Sequence, residues 1–241
     1  MRPRLVLCSW LLFAATLSWP GSEVRAGSSW TWRLTPLYLW LPNIGGNLSG
    51  GDGGPPVDIA DFNFRFEKAF SANFEGSLNN RWGFVTDLIS VDLSNTNDTR
   101  DSRLDLGYLQ LQLDGYYRLP LGGQFVDLLA GLRYQILDIS LDPRPVSLDK
   151  DLLDPVIGAR WLWPLTDRWT FTLRGDFGGF GIGSELSWKV VAVADFRPWE
   201  HVSITAGVRG VGLDVRAGAG LDRVDTDLDL WGPLVGLSFR W

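Results

Sequence analysis

The stretch Trp169-Thr170-Phe171-Thr172-Leu173-Arg174-Gly175-Asp176-Phe177 decides how this chain folds. Trp169, Phe171, Leu173 and Phe177 occupy one set of alternate positions, and Thr170, Thr172, Arg174 and Asp176 occupy the other. Successive side chains of a strand point to opposite faces, so a strand gathers the large apolar groups on one side and the ionic groups on the other. A helix would carry Arg174 and Asp176 round onto the apolar side. The segment reads as a β-strand with one greasy and one charged face.

The same period of two returns along the chain. Leu186, Trp188, Val190, Ala192, Ala194 and Phe196 oppose Ser187, Lys189, Asp195 and Arg197. Leu109, Leu111, Leu113, Tyr117 and Leu119 oppose Gln110, Gln112, Asp114 and Arg118 within 108–119. Phe70, Ala72, Phe74 and Leu78 oppose Ser71, Asn73, Glu75 and Ser77, and in 126–136 the even positions are apolar against Asp127, Arg133 and Gln135. Looser strand patterns cover 30–41, 82–93, 155–163, 202–215 and 228–241. The total is ten strands. Eight or twelve are the neighbouring counts, because 57–66 either extends a strand or forms a short lid.

Alternation alone also suits a soluble sandwich or a lipocalin-like barrel, in which the apolar face turns inward and the charged face meets water. Two features favour the opposite arrangement. Connections alternate in length: short turns at Asn79-Asn80, 120–123, 164–168 and 198–201 interleave with longer polar loops at 44–68, 94–102, 141–153 and 216–225, with 178–184 as a short exception. Outer-membrane barrels pair tight periplasmic turns with longer external loops in this way. The aromatic residues Trp82, Tyr117, Phe125, Trp163, Trp169, Trp199 and Trp241 collect beside the short turns or at the last position, where amphipathic rings suit the headgroup layer. Tyr38, Trp40, Phe180, Trp188 and Trp231 form the expected opposite girdle. The predicted fold is an all-β, antiparallel, up-and-down transmembrane β-barrel.

Residues 1–26 stand apart as a signal peptide. Arg2 and Arg4 precede an apolar run from Leu5 to Trp19, Pro20 breaks it, and Val24-Arg25-Ala26 offers a cleavage site after Ala26. The run is short for a permanent spanning helix, and Cys8 follows Leu7 without the small residue of a lipoprotein site. The barrel then occupies 27–241. It contains neither Cys nor Met, so disulfides and cysteine metal sites are excluded. The leader carries three arginines against Glu23, which leaves the barrel at −8 where the whole chain is −6. Such an acidic chain has no basic cluster for nucleic acid. The expected location is the outer membrane of a Gram-negative cell, as a monomer among lipids and lipopolysaccharide.

At the end of the sequence Val235, Leu237, Phe239 and Trp241 alternate with Gly236, Ser238 and Arg240. This spacing resembles the C-terminal signal that outer-membrane barrels present to the barrel assembly machinery, with Trp in place of the usual Phe. Several strings extend the resemblance: Pro36-x-x-x-Trp40-x-Pro42, Arg81-Trp82-Gly83-x-x-x-Asp87, Ala130-Gly131-x-Arg133-Tyr134, Asp154-Pro155-x-x-Gly158-x-Arg160, the run 175–184 and Gly232-Pro233-x-x-Gly236. Together they resemble a widespread group of small bacterial outer-membrane β-barrel proteins. The resemblance implies the fold and the membrane, and no activity. One departure is Gly207-Val208-Arg209-Gly210, where the group often carries Gly-Tyr-Arg-Tyr.

Catalysis lacks its usual residues. Omptin-like proteases, lipid A deacylases and outer-membrane phospholipases resemble one another in using His near the external rim. The single His here is His201, which strand parity assigns to a periplasmic turn. The glycines of 178–184 come without the Lys of a phosphate loop and read as a tight turn. No cofactor or metal site is expected. The inward face instead carries Arg33, Arg118, Arg133, Arg160, Arg174, Lys189, Arg197, Arg209 and Arg240 with Glu75, Asp87, Asp114, Asp127, Asp154, Asp176 and Asp195. Confined charges are costly unless paired, so a ladder of ion pairs plugging most of the lumen is predicted. The external loops are acidic, at Asp98, Asp101, Asp142, Asp149, Asp151, Asp222, Asp225, Asp227 and Asp229. These expectations describe a structural or narrow-pore membrane protein passing or binding small polar solutes. The alternative is a surface protein whose acidic loops bind lipopolysaccharide, a divalent cation, or a host or phage partner.

Overall fold

A computed structural model of the chain describes residues 29–49, 57–58, 65–97, 102–142, 146–217 and 224–241. The signal segment and its cleavage site lie outside them, as do Asp98, Asp101 and Asp222 and much of the 44–68 connection. The described residues form strands β1 (Trp30–Trp40), β2 (Asn43–Ser49), β3 (Val57–Asp58), β4 (Arg65–Leu78), β5 (Trp82–Asn97), β6 (Ser102–Leu121), β7 (Gln124–Asp142), β8 (Val146–Pro164), β9 (Trp169–Gly179), β10 (Leu186–Phe196), β11 (Val202–Ala217) and β12 (Val224–Arg240). β4 to β12 pair in sequence, each antiparallel to the next, and β1 lies between β4 and β12 to close a ten-stranded barrel. β2 continues the course of β1 along the far half of β12, and β3 adds to β2.

Turn chemistry sets the short end. Asn79 and Asn80 both have positive φ, 52° and 51°, as do Gly122 and Gly123. Two left-handed residues make a hairpin turn whose twist matches that of the strands, and Asn and Gly adopt this conformation at the least cost. Beside these turns the rings of Trp82 and Tyr117 pack at 4.4 Å, Trp161 and Trp163 stack at 5.4 Å, and Trp169 meets Phe196 at 4.7 Å. Trp82, Trp163, Trp169, Trp199 and Trp241 are exposed on the outer wall or rim, with Tyr117 half-buried among them.

The far end differs from the expected loops. Residues 141–142 close β7 and 146–153 open β8, and Asp149, Asp151, Asp225, Asp227 and Asp229 sit on strands. β6 runs for 20 residues and β7 and β8 for 19 each, whereas about 9–11 cross a bilayer at a tilt. β9 and β10 have only 11 residues each. The wall therefore stands tall around most of its circumference and drops at the β9–β10 hairpin, where Phe180 (φ 52°) and Ile182 project from the turn.

One strand corrects the expected girdle. β1 slips register against both neighbours around Pro36, between Leu34 and Leu37 on the β12 side and between Thr35 and Tyr38 on the β4 side. Proline has no N–H to give to a ladder and is accommodated by such a bulge. Beyond it the inward set changes parity, so Tyr38 (8% exposed) and Trp40 (2%) turn into the barrel, away from the lipid face. Trp188 and Trp231 do face outward, 5.2 Å apart, with their rings lying over Gly212 and Gly210 of β11. Any Cβ at Gly210 would meet Trp231 at 2.5 Å, so the glycine stands where this ring packs. That contact occupies the place left by the departure at 207–210.

Candidate functional site: the barrel lumen

The charged faces of the strands meet inside the barrel in layers. Nearest the short turns, Arg160 on β8 reaches across to Glu75 on β4 through two hydrogen bonds (Nη1–Oε2 3.0 Å, Nη2–Oε1 2.6 Å), and its Nε donates to Asp127 at 2.9 Å. Arg118 holds the same Asp127 with Nε at 2.7 Å and Nη2 at 2.9 Å, and donates to Asn80 of the β4–β5 turn at 2.5 Å. Both guanidinium groups lie over the Tyr116 ring, at 5.3 and 4.9 Å. Across the lumen Arg33 pairs with Asp195, which also accepts from Thr205 at 2.6 Å.

The middle layer is denser. Arg174 pairs with Asp114 and with Asp176, and Arg133 pairs with Asp176 while donating to Gln112 (3.0 Å) and Ser187 (2.9 Å). Lys189 Nζ donates to Asp87 at 2.8 Å and Gln112 at 2.7 Å, and Arg209 donates to Asp87 at 3.3 Å and Ser71 at 2.6 Å. Arg133 and Lys189 are 0% exposed. Charges this deep persist because each has an opposite charge and further hydrogen bonds. The gap left in this region has a volume of about 70 Å³.

Above the charges the filling turns apolar. The Tyr108 hydroxyl donates to Gln135 Oε1 at 2.7 Å, lies 3.0 Å from the Gln110 side-chain amide, and forms the transition. Beyond it Ile89, Val91, Leu106, Leu137, Ile139, Leu148, Leu152, Val211, Leu213, Leu228 and Leu230 form one buried cluster with Trp40. The strands keep their inward and outward parity here, but the hydrophobic phase shifts by one residue. On β6 the apolar set passes from outward Leu111 and Leu113 to inward Tyr108 and Leu106; on β7 it passes from outward Leu132 and Tyr134 to inward Leu137 and Ile139, leaving Asp138 and Ser140 outside. β8 does the same between Leu153 and Leu152, and β12 between Trp231 and Leu230. The register makes the shifts level, with Tyr108 opposite Leu137 and Val211 opposite Leu230. Below that level the barrel is apolar outside and ionic inside. Above it the polarity is that of a water-soluble barrel.

The short-turn end opens into a vestibule of about 480 Å³ that Arg33, Glu75, Arg118, Arg197, His201 and Arg240 help to line. His201 stands on the β10–β11 turn, its Nδ1 3.0 Å from the Arg240 carbonyl oxygen, at the opposite end from the tall wall.

Three members of the expected ladder do not form ion pairs. Arg197 lies in the β10–β11 turn, exposed, and donates to the Asp167 carbonyl at 2.6 Å, because β10 ends one residue before it. Arg240 has no carboxylate partner among the described residues. Asp154 is buried without a cationic partner among the described residues and accepts from the Ser184 backbone N–H (2.7 Å), the Ser184 hydroxyl (2.7 Å), Ser187 (2.8 Å) and Gln135 (2.8 Å). It thereby anchors the low β9–β10 turn to the lumen, and Ser187 links it to Arg133. Val235, Leu237, Phe239 and Trp241 are exposed on the outer face of β12 and beyond its end. Among the described residues no group of three or more His, Cys, Asp or Glu converges as a metal site, and no helix is long and apolar enough to cross a membrane. Sequence reading missed the neutral partners, Gln112, Ser187, Thr205 and Tyr116, whose only local signal is inward parity.

A closed antiparallel barrel with this distribution of side chains has the fold of outer-membrane β-barrel proteins. Its architecture is similar to that of the outer membrane protease OmpT from Escherichia coli, with a TM-score of 0.55 at 9% identity over 91% of this chain and 100% of that one. OprG from Pseudomonas aeruginosa (TM-score 0.40, 11% identity, 88% of this chain and 95% of that one) and Ail, the attachment invasion locus protein of Yersinia pestis (0.37, 12%, 88% and 97%), also match. At these identities the likeness is one of fold. No protein-family model matches the chain, and no curated protein matches its sequence.

Proposed function

We propose that the chain is an integral outer-membrane barrel that conducts no hydrophilic solute, a structural barrel rather than a narrow pore. The carrying observation is that the lumen is filled twice over, first by paired charges and then by an apolar cluster. A hydrated solute entering from the vestibule meets a gap of about 70 Å³, and beyond it a cluster of mostly aliphatic side chains with few polar groups to replace its water. The level change of hydrophobic phase supports a membrane boundary, because an outward Arg or Lys costs about 2–4 kcal/mol at the bilayer midplane and only about 0–1 near its edge. The test is reconstitution into planar bilayers and swelling assays of liposomes. The expected result is no conductance steps and no sugar flux, and porin-sized steps would overturn the reading. Faster migration of the unboiled protein in detergent gels tests the barrel itself.

A second role rests on the tall wall. Asp149, Asp151 and Asp227 project outward from its strands, which hold them on a rigid, apolar-cored rim. Carboxylates spread in this way suit binding one by one, each through a calcium or magnesium ion bridged to a lipopolysaccharide phosphate, since they do not converge on a shared site. Calcium-dependent capture of lipopolysaccharide by the intact protein, lost on replacing these three residues by Asn, is the expected outcome. Equal capture by the variant removes this role.

A further inference from the structure

The vestibule holds an arginine that no carboxylate of the described residues engages, Arg240. Arg33 and Arg240 are direct partners across the β1–β12 seam, where like charges oppose each other. Elsewhere in the lumen neighbouring cations share a carboxylate: Asp127 stands between Arg118 and Arg160, and Asp87 between Lys189 and Arg209. At the seam no carboxylate bridges the two arginines. Arg33 is paired through Nη2 with Asp195, but its Nε and the Nε of Arg240 are both buried and have no acceptor. Both residues line the same cavity, with Arg197 beside them. The Glu75 carboxylate in that lining is already held by both Nη groups of Arg160.

We propose that this vestibule is a binding site for a small molecule bearing an oxyanion, a carboxylate or phosphate group, held by the guanidinium group of Arg240 beside that of Arg33, with Arg197 at the rim. A buried guanidinium N–H without an acceptor is costly, and a two-oxygen anion matches the planar fork that arginine presents. The volume of about 480 Å³ falls in the range of about 300–1,000 Å³ typical of small-molecule sites. Phe125 and Trp241 add ring surface to the lining, which suits an organic anion. The cavity lies at the short-turn end, so its ligand enters from that side.

Isothermal titration calorimetry of the full folded barrel in a neutral detergent at low salt tests this, with inorganic phosphate and succinate as probes. Saturable binding of either is expected. R240Q should weaken it about tenfold, the scale of one charge-assisted hydrogen bond. R197Q, altered in an exposed turn outside any strand, should weaken it by a few fold and still reports if R240Q fails to fold. R216Q, at the opposite rim, should leave it unchanged. Absence of saturable binding, or equal binding in R197Q and R240Q and the unaltered protein, overturns the site.

Discussion

Replacing Asp87 by Ala should be among the most damaging single changes the lumen can suffer. Asp87 is the carboxylate between Lys189 Nζ, at 2.8 Å, and Arg209 Nη2, at 3.3 Å. Its removal leaves Lys189, which is 0% exposed, with Gln112 at 2.7 Å and only the distant Asp176 carboxylate at 3.8 Å, which Arg133 and Arg174 already engage. Breaking a buried pair in this way costs about 3–5 kcal/mol, because the surviving charge keeps its desolvation penalty and loses its compensation. Removing both charges as D87A/K189M takes away the Lys189 share of that penalty, while Arg209 loses its carboxylate and keeps its 2.6 Å bond to Ser71, so the double variant should recover part of the loss. The assay is urea unfolding in lipid vesicles, read by the loss of heat-modifiable migration. A cost below about 1 kcal/mol for D87A, or a double variant less stable than the single, would refute the view that paired charge holds the lumen closed.

Leu132→Arg, on the exposed face below the change of hydrophobic phase, should cost about 2–4 kcal/mol in vesicles, while Ser140→Arg above it on the same strand should change stability little; equal effects would remove the proposed boundary. Asp154→Ala deletes the acceptor that holds Ser184 and Ser187, so limited proteolysis should cut within 180–185 in the variant and leave the remaining barrel intact. Burial and the Asp227 carboxylate raise the carboxyls of Asp214 and Asp229 above the ordinary range, for Asp214 against the opposing pull of Arg216. The folded rim therefore binds these protons more tightly than the unfolded chain. The stabilisation is complete below the ordinary carboxylate pKa of about 3.9 and is lost as pH rises through the raised values. Hydrogen exchange at the far ends of β11 and β12 should be slower at pH 4.5 than at pH 7 after correction for the intrinsic rate, and slower exchange at the higher pH contradicts it.

Strand identity was readable wherever one alternation ran without interruption, as in 169–177, 186–196 and 108–119. The pattern failed where it changed phase. Around 136–153 two opposite alternations meet, so a window laid across the junction sees polar and apolar residues on both faces and reads a loop. The bulge at Pro36 misled in the same way: strict parity carried past it put Tyr38 and Trp40 on the lipid side, whereas the bulge turns them inward, with Arg209 lying over both rings at 5.6 and 5.7 Å. Inward parity also marked Arg197, Arg240 and Asp154 as charges in need of partners. It could not reveal that one leaves the strand, one faces an open vestibule and one caps a turn through neutral groups.

What the residues determine alone is local: a period of two, left-handed turn residues at Asn79-Asn80 and Gly122-Gly123, and aromatic side chains beside those turns. These need only neighbours along the chain, and they suffice for an antiparallel barrel with ionic groups inside. Which arginine meets which carboxylate was decided by closure. Arg160 and Glu75 are 85 positions apart on β8 and β4, and Lys189 and Asp87 are 102 apart on β10 and β5. Their meeting depends on the number of strands and the stagger with which β1 joins β12, which set the width of the tube and the height at which each side chain enters it.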